Sequence, residues 1–375
     1  MTHQELVCCL VLHRIAGSSR TLSLLLDRFG SAQQVFAAGR SDLNTLLESK
    51  TALLDAIAAG ADECAGTSAA VVELEWLAQP HCHVVTRADM HYPPLLREIA
   101  DPPPLLFVRG IKEILTLAQI AVVGSRNPTP TGCENARGFA RTLAQTGLVV
   151  SSGLALGIDA CAHGGALEAD GLTIAVAATG LDRVYPSRHR ELAHAITQHG
   201  ALISEFPLGS PPRRDHFPRR NRIISGMSTG VLVVEAALQS GSLITARLAV
   251  EQGREVFAIP GSIHSPLARG CHVLIRQGAK LVETAQDILE ELGPLLGAQV
   301  QRVASVTRPN ATHVSADGQQ EFDLVLVHVG HDPVSVDALV ERSGLTPEVI
   351  SSMLLQMELY GLVEACPGGK YQRTA

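Results

Sequence analysis

A chain of 375 residues, 46% of them apolar and 18% charged, can build a substantial core, and this length usually holds two or three domains. Its net charge of −7 excludes a general polycation, so any nucleic-acid binding must come from a local patch. No apolar run approaches the ~18 residues that span a bilayer, and the first one, 6–12, is too short for a signal core. We therefore expect a cytoplasmic protein without membrane contact.

The cysteines predict neither a disulfide framework nor a metal site. All eight are scattered along the chain, without a CxxC pair or metal-ligand spacing. Together with the cytoplasmic expectation, this pattern favours reduced thiols and no bound metal.

The N-terminal region reads as helical. Apolar residues recur at three- and four-residue spacing from residue 4 to about 65, and a weaker segment follows to about 80. Residues 91–110 contain five prolines, which predicts an irregular extended connector. We expect a helical domain over 1–80.

From residue 119 the pattern changes to alternating strands and helices. The predicted strands are short apolar runs at 120–123, 148–151, 173–178, 201–204, 231–234, 255–259 and 280–282. Near-continuous apolar strands that alternate with helices predict a parallel, Rossmann-like sheet of the α/β class, covered on both faces, over 81–293. Such sheets bind ligands at the carboxyl ends of their strands.

The C-terminal part reads as a linker and a small domain. Residues 294–320 lack periodicity. Within 321–375 we expect helices near 321–329, 335–343 and 346–360, and then two short strands around Pro367-Gly368-Gly369. That order is typical of a winged helix.

Glycine- and serine-containing turns follow most of the predicted strands. The residues that we expect at an anion site are Gly124, Ser125, Arg126, Gly153, Gly241 and Ser242. Glycine lets backbone amides approach an anion, and the helix N-termini that follow add partial positive charge. The alternative is that these glycines only close βα loops. A dinucleotide is a poorer fit because the first turn is not GxGxxG and no Walker A pattern occurs, so no cofactor is expected.

A concentration of positive charge lies between two apolar runs. Five arginines fall within ten residues, with one aromatic among them: Arg213, Arg214, Phe217, Arg219, Arg220 and Arg222. Charges for phosphates and a ring face for a base suit a single-stranded nucleic acid. The alternative is a solvated loop of salt-bridged arginines.

Catalytic candidates are weak, and we predict none. Asp159 and His163 share a helix face, but a first-turn role for Asp159 and a packed core position for His163 are the simpler interpretations. Glu205 and Glu235 follow strands, and we interpret them as structural partners of the arginines. No nucleophile and base pair stands out.

Several segments together resemble one family. They are AVVGSRNPTPTG, SSGLALGIDACAHGGAL, TGLDRVYP, SEFPLG, HFPRRNRIISG, VLVVEAALQSGSLITARLAVEQGREVFAIPG and GCHVLIRQGAKLV. These resemble the DNA-processing protein DprA (Smf) family, densely over about 85–290 and more loosely at both ends.

The resemblance implies a fold, a function and a site. It implies an extended Rossmann-like domain with a helical (SAM-like or helix-hairpin-like) N-terminal domain and a winged helix. It also implies a homodimer that binds and protects incoming single-stranded DNA and loads the RecA recombinase during natural transformation. The residues that it adds or reinforces as DNA contacts are Gly124, Ser125, Arg126, Arg214, Phe217, Arg220, Asn221, Arg222 and Lys280.

Two departures limit the resemblance. The family often carries a Gly-x-Gly hairpin in its helical region, whereas this chain has Gly17-Ser18-Ser19, so no DNA contact is predicted there. Residues 310–375 hold nine acidic and three basic residues, a net charge of −6, which would repel a duplex. We therefore expect the winged helix to contact a protein.

Other functions remain open on the residues alone. A nucleotide-processing hydrolase of the phosphoribohydrolase type would use Glu205 and Glu235 as its acid and base. The surplus of arginines favours a strand over a mononucleotide. A duplex-binding regulator is disfavoured by the acidic C-terminal unit.

Overall fold

The structure is a computed structural model that describes residues 2–47, 50–61, 67–296, 329, 334–343, 345–346, 349–350, 353–354, 357, 363–366 and 370–373. The chain divides into two compact units, Met1–Thr307 and Arg308–Ala375. The finer boundaries at residues 80, 293 and 320 stay predictions.

The first unit begins with the expected helices. They are α1 (His3–Ala16), α2 (Ser19–Phe29), α3 (Ala32–Ala37), α4 (Arg40–Leu47), α5 (Thr51–Ala58) and α6 (Thr67–Leu77). A capping box between Thr2 and Glu5 starts α1, and Gly17 ends it with a φ of 68°. Ser18 then caps α2 by accepting from the Thr21 backbone N–H. The polar turn between two capped ends therefore sets where α1 stops and α2 starts.

A nine-stranded sheet forms the centre of this unit. Its strands are β1 (Cys82–Thr86), β2 (Leu105–Gly110), β3 (Gln119–Val123), β4 (Val149–Ser152), β5 (Thr173–Val176), β6 (Gly200–Ser204), β7 (Gly230–Val233), β8 (Glu255–Ala258) and β9 (Lys280–Leu281). The order across the sheet is β1-β2-β6-β5-β4-β3-β7-β8-β9. All seven strands predicted from the sequence are present.

The seven predicted strands pair in parallel as expected, and the sheet gains two antiparallel strands at one edge. The strands β1 and β2 pair with each other antiparallel, and β2 pairs antiparallel with β6. Part of the predicted irregular connector is therefore strand β2, which starts directly after the last of its prolines. The connector is anchored where the fully buried Tyr92 donates its hydroxyl proton to the Pro103 carbonyl, at 2.8 Å.

Helices cover both faces of the sheet. They are α7 (Pro94–Arg97), α8 (Pro130–Gln145), α9 (Ile158–Glu168), α10 (Arg190–His199), α11 (His216–Met227), α12 (Gly241–Glu251), α13 (Arg269–Arg276) and α14 (Ala285–Leu296). Short 3-10 helices occupy Lys112–Thr116 and Ser187–His189. One face packs against α7, α11, α12 and α13, and the other against α8, α9 and α14. The N-terminal helices share a further core with β2 and α10. Burial on both faces explains why the strands read as continuous apolar runs.

The strand order reverses beside β3. The chain moves from β3 through β4 and β5 to β6 in one direction, then returns to place β7 on the other side of β3. Loops that leave neighbouring strands in opposite directions open a crevice at this switch point.

One expectation about the cysteines is wrong in the structure. Cys133 and Cys161 form a disulfide that joins α8 and α9, with 5.5 Å between their Cα atoms. The two residues are distant in sequence but meet because the N-terminal turns of these helices pack together. Cys9, Cys82 and Cys271 are buried thiols.

The second unit contains β10 (Val334–Ser335), α15 (Val336–Ser343), β11 (Val363–Cys366) and β12 (Lys370–Arg373). Its three strands form an antiparallel sheet in the order β10-β12-β11, so the predicted second helix and final hairpin are present. The buried Ile350, Leu354 and Met357 pack in its core as their helical spacing predicts. The predicted helix at 321–329 lies outside the described residues, apart from Val329.

None of the described helices combines the length and the apolar composition that a bilayer-spanning segment needs.

Candidate nucleic-acid interface

A cavity of about 400 Å³ opens at the switch point of the sheet. We call it the switch-point pocket. Its walls come from the turn after β3, the start of α9, the first two turns of α11 and the start of α12. Such a crevice is where doubly wound sheets bind their ligands.

One wall presents backbone donors. Gly124 and Ser125 follow β3, and the first turn of α12 faces them with Gly241 and Ser242. Ser240 caps α12 by accepting from the Ser242 N–H at 3.3 Å. Helix N-termini carry N–H groups without intrahelical acceptors, and together with Arg126 this wall suits an anion such as a phosphate.

An aromatic cluster forms the opposite rim. The Phe217 ring is half-buried, and the Arg126 guanidinium lies 5.3 Å from its centroid. The Tyr185 ring lies 6.0 Å from Phe217 and is 48% exposed. Both rings line a smaller adjoining cavity of about 70 Å³. Tyr185 was not among the predicted site residues. It lies in the TGLDRVYP segment, but nothing in that segment indicates that the Tyr185 ring lies against α11.

The pocket floor holds two buried charged side chains. Arg220 and Asp159 are 4% and 7% exposed, and Arg220 donates to the Val176 carbonyl at 2.8 Å. Burial lowers the pKa of Arg220 to about 10, and burial also raises the pKa of Asp159, against the opposing influence of Arg220. Asp159 accepts from the backbone N–H groups of Gly153 and Ala155 at 3.1 and 3.2 Å. It therefore fixes the loop after β4 rather than capping its own helix.

Gly153 is required by this floor. A Cβ at this position would overlap the Arg220 guanidinium, so only glycine lets the arginine reach its place. Gly153 thus supports the pocket from below and lines the smaller cavity.

Most of the predicted DNA contacts meet in one place. The residues that line the switch-point pocket are Gly124, Ser125, Arg126, Phe217, Arg220, Asn221, Gly241 and Ser242. Arg214 is exposed in the turn just before α11 and does not line the pocket. Lys280 lies on the edge strand β9 and pairs with Glu291.

Arg222 lies on another face of α11, in a buried network. It is 9% exposed and donates to the carboxylate of Glu205, which is 2% exposed, and to the backbone carbonyl of Asp101. Ser19 donates to the same carboxylate at 2.6 Å. The structural role predicted for Glu205 is confirmed, because its carboxylate forms a buried ion pair with Arg222.

The partner predicted for Glu235 is wrong. Its carboxylate accepts from the Thr129 hydroxyl at 2.6 Å and from the Thr129 N–H at 2.9 Å, and Thr129 caps α8. The core position predicted for His163 is confirmed. Its side chain is fully buried, and its Nδ1 lies 2.7 Å from the Thr173 hydroxyl.

The fold and the pocket define a Rossmann-like domain with a Gly-Ser-Arg turn, a helix N-terminus and exposed rings at the switch point of its sheet. The family model described as DNA recombination-mediator protein A matches residues 83–293, and that of the DprA winged helix domain matches 309–369. The chain belongs to this DprA (Smf) family, a family of recombination mediators.

Relatives and solved structures agree. Protein Smf of Escherichia coli is 48% identical over 299 residues, which is 78% of each chain. DNA processing protein DprA of Bacillus subtilis is 47% identical over 206 residues, 55% of this chain and 69% of the relative. The structure of Streptococcus pneumoniae DprA is similar over 75% of this chain and 95% of its own, with a TM-score of 0.66 and 37% identity. A Helicobacter pylori DprA structure, described for its single-stranded DNA binding mode, covers 57% of this chain and 97% of its own, with a TM-score of 0.52 and 30% identity.

The geometry disfavours the hydrolase alternative. Neither Glu205 nor Glu235 lines the switch-point pocket, and both carboxylates are held by structural donors. The carboxylate of Asp159 lines the pocket, but it is engaged by backbone N–H groups and lies near Arg220. An acid and base pair of glutamates is therefore not assembled there.

Proposed function

We propose that this protein binds single-stranded DNA in the switch-point pocket with little sequence preference. The observation that carries the proposal is the convergence of the Gly124–Ser125–Arg126 turn, the N-terminus of α12 and the Phe217 ring on one cavity. The turn and the helix end suit a phosphate, and the ring suits a stacked base, whichever base it is. The relative from Helicobacter pylori, described for single-stranded DNA binding, supports this choice of ligand.

Membership of the family supports a proposal for the wider role. We infer that the protein, as a cytoplasmic homodimer, protects incoming DNA and loads RecA recombinase onto it during natural transformation. The measurement is the rate of RecA filament formation on oligonucleotide coated with single-strand-binding protein, with and without this protein. Sedimentation equilibrium tests the dimer. No acceleration of filament formation would leave strand binding standing and remove the loading role.

Strand binding is tested by titrating salt against affinity for a homopolymeric oligonucleotide and its duplex. We expect tighter binding to the single strand, with log affinity falling by about 0.7 per phosphate contact for each unit of log salt. Arg126→Ala should weaken binding, whereas Arg28→Ala, an exposed arginine in the last turn of α2, should leave it unchanged. Equal affinity for duplex and single strand would overturn the proposal.

The DNA contacts outside the pocket stay part of the proposal. Arg214 is exposed beside α11 and can reach a phosphate, so Arg214→Ala should weaken binding without unfolding the chain. Arg222 and Lys280 already have acidic partners in Glu205 and Glu291. We expect smaller direct effects on affinity from these two than from Arg126.

A further inference from the structure

A second cleft lies against another face of α11. It has a volume of about 240 Å³ and is formed by the end of α1, the turn Gly17-Ser18-Ser19 and the segment 205–219. We call it the α1–α2 cleft. Phe217, Arg220 and Asn221 of α11 line the switch-point pocket, whereas His216 and Arg219 of the same turns line the α1–α2 cleft. The two cavities therefore flank the start of one helix.

One arginine of the cleft, Arg219, is held in place while its charged head group stays partly exposed. The Arg219 guanidinium lies 5.2 Å from the centroid of Phe206, whose ring stacks on His216 at 3.9 Å. Its Nη2 lies 3.4 Å from the Ser19 hydroxyl and 3.6 Å from the Glu205 carboxylate, and its side chain stays 36% exposed. Stacking on a buried ring holds the head group in place at low entropic cost, ready for a second partner.

The charges of the cleft leave a positive excess. Arg14 on its wall is paired with Glu73 at 2.8 Å. The Glu205 carboxylate is bound by Arg222, which lies outside the cleft and also pairs with Asp101 at 3.5 Å, and it lies 3.6 Å from Arg219. Arg213 and Arg219 then face a single further carboxylate, Asp215, and within the described part of the chain Arg213 has no acidic partner. An anion fits this balance, and the first turn of α2 adds partial positive charge.

We propose that the α1–α2 cleft binds a phosphate of the same DNA strand that occupies the switch-point pocket, so that the strand crosses the start of α11. A helix with its side chains is about 10–12 Å across, a span that a few nucleotides cover. The exposed Arg213 and Arg214 lie on the connecting surface. The N-terminal helices, for which the sequence predicted no DNA contact, thereby become part of the interface. This inference rests on the proposed single-strand binding.

The test compares oligothymidylates of two lengths, about four and about sixteen nucleotides, the range of site sizes for a single binding domain. Arg213→Glu should weaken binding of the long strand at least tenfold at low salt and lower the magnitude of its salt slope by about 0.7 or more. It should leave binding of the short strand, held in the switch-point pocket alone, within twofold of wild type. Asp215→Asn should strengthen binding of the long strand, because it removes a negative charge from the cleft. The Asp215 carboxylate caps no backbone N–H, so its loss should not disturb α11.

Control variants separate the possible failures. Arg126→Ala should weaken binding of both strand lengths. Arg28→Ala should change neither affinity, although it removes a positive charge from α2, the helix whose first turn borders the cleft. If Arg213→Glu lowers affinity for both lengths equally, or for neither, the second contact is overturned while pocket binding stands. If the wild type does not prefer single strands to duplex, the proposed function itself fails. A melting curve for each variant confirms that the chain is folded.

Discussion

At the scale of single residues, Phe217 lies at the edge of the switch-point pocket rather than in the core. Its ring is half-buried, its neighbours are Tyr185 and the Arg126 guanidinium, and it opens onto two cavities. A ring in this position has one face available for a base and loses little packing when it is removed.

Phe217→Ala is therefore expected to cost ~1–3 kcal/mol of binding free energy, the value of one stacked base, with little change in melting temperature. Both quantities are measured on the same preparation, by fluorescence anisotropy of a labelled oligonucleotide and by a thermal melt. A large fall in melting temperature with unchanged affinity would instead assign the ring to the core.

Residue identities could be predicted from sequence where the backbone places them directly. The Gly124–Ser125–Arg126 turn follows a strand, and parallel strands end at a common edge, so its place in the pocket followed from the pattern. Whether an arginine is paired with an acidic side chain or is available to a ligand depends on its neighbours in the folded structure, which sequence spacing does not reveal. Arg220 and Arg222 are two positions apart, yet one faces the pocket floor beside Asp159 and the other is held by Glu205.

At the scale of elements, α8 and α9 pack with their backbones unusually close. A Cβ at Gly165 would overlap the backbone carbonyl of Arg137, whereas one at Gly164, the preceding residue on α9, meets nothing closer than the Arg137 Nε at 4.0 Å. Two adjacent glycines in one helix thus have opposite roles.

Gly165→Ala should force the two helices apart and destabilise the fold by about 1–3 kcal/mol, a cost typical of overpacking. Gly164→Ala removes a flexible residue from a helix and should be neutral or stabilising by up to ~1 kcal/mol. Urea unfolding of both variants measures the difference. Equal effects would contradict the close approach of α8 and α9.

The predictability of elements followed their burial. Six of the seven predicted strands, β3 to β8, are almost wholly buried, so their short apolar runs stood out between helical stretches, whereas the seventh, β9, is an exposed edge strand. The antiparallel β1 and β2 lie where the chain is interrupted by prolines, and strand β1 (Cys82–Thr86) is only partly buried, so neither was recognised. Pairing with β6 stabilises β2, and that partner is distant in sequence.

His163 gives the core of the first unit a pH dependence. Its burial beside Thr173 lowers its pKa to about 3. The unfolded chain takes up the proton near pH 6.5, so acid favours unfolding between about pH 6.5 and 3, by about 1.4 kcal/mol per pH unit, and above that range this residue contributes no pH dependence. His163→Gln should flatten the fall in unfolding free energy between about pH 6.5 and 5 by that amount, as urea titrations would show. An unchanged slope would mean that His163 is protonated in the fold.

At the scale of the whole molecule, the two units differ in charge. The segment 310–375 carries a net charge of −6, while the arginines that we propose as DNA contacts belong to the first unit. We expect deletion of 310–375 to leave strand affinity unchanged, because an acidic unit is a poor phosphate ligand. Tighter binding after deletion would mean that the acidic unit competes with DNA for the arginines. A large loss, with the oligomeric state preserved by sedimentation, would contradict both.

The buried Glu205 carboxylate has a consequence for how the DNA site responds at a distance. It bonds Ser19 at the start of α2 and Arg222 of α11, while His13 of α1 bonds its backbone carbonyl at 3.0 Å. Local unfolding of either α2 or α11 alone would leave a buried charge without its partner. The N-terminal helices and α11 should therefore unfold locally as one cooperative unit. An occupied pocket that holds α11 should then slow amide hydrogen exchange in α1 and α2, and Glu205→Gln should uncouple the two. If the pocket binds DNA as we propose, amide exchange in the first thirty or so residues should therefore report its occupancy, whether or not the strand touches them.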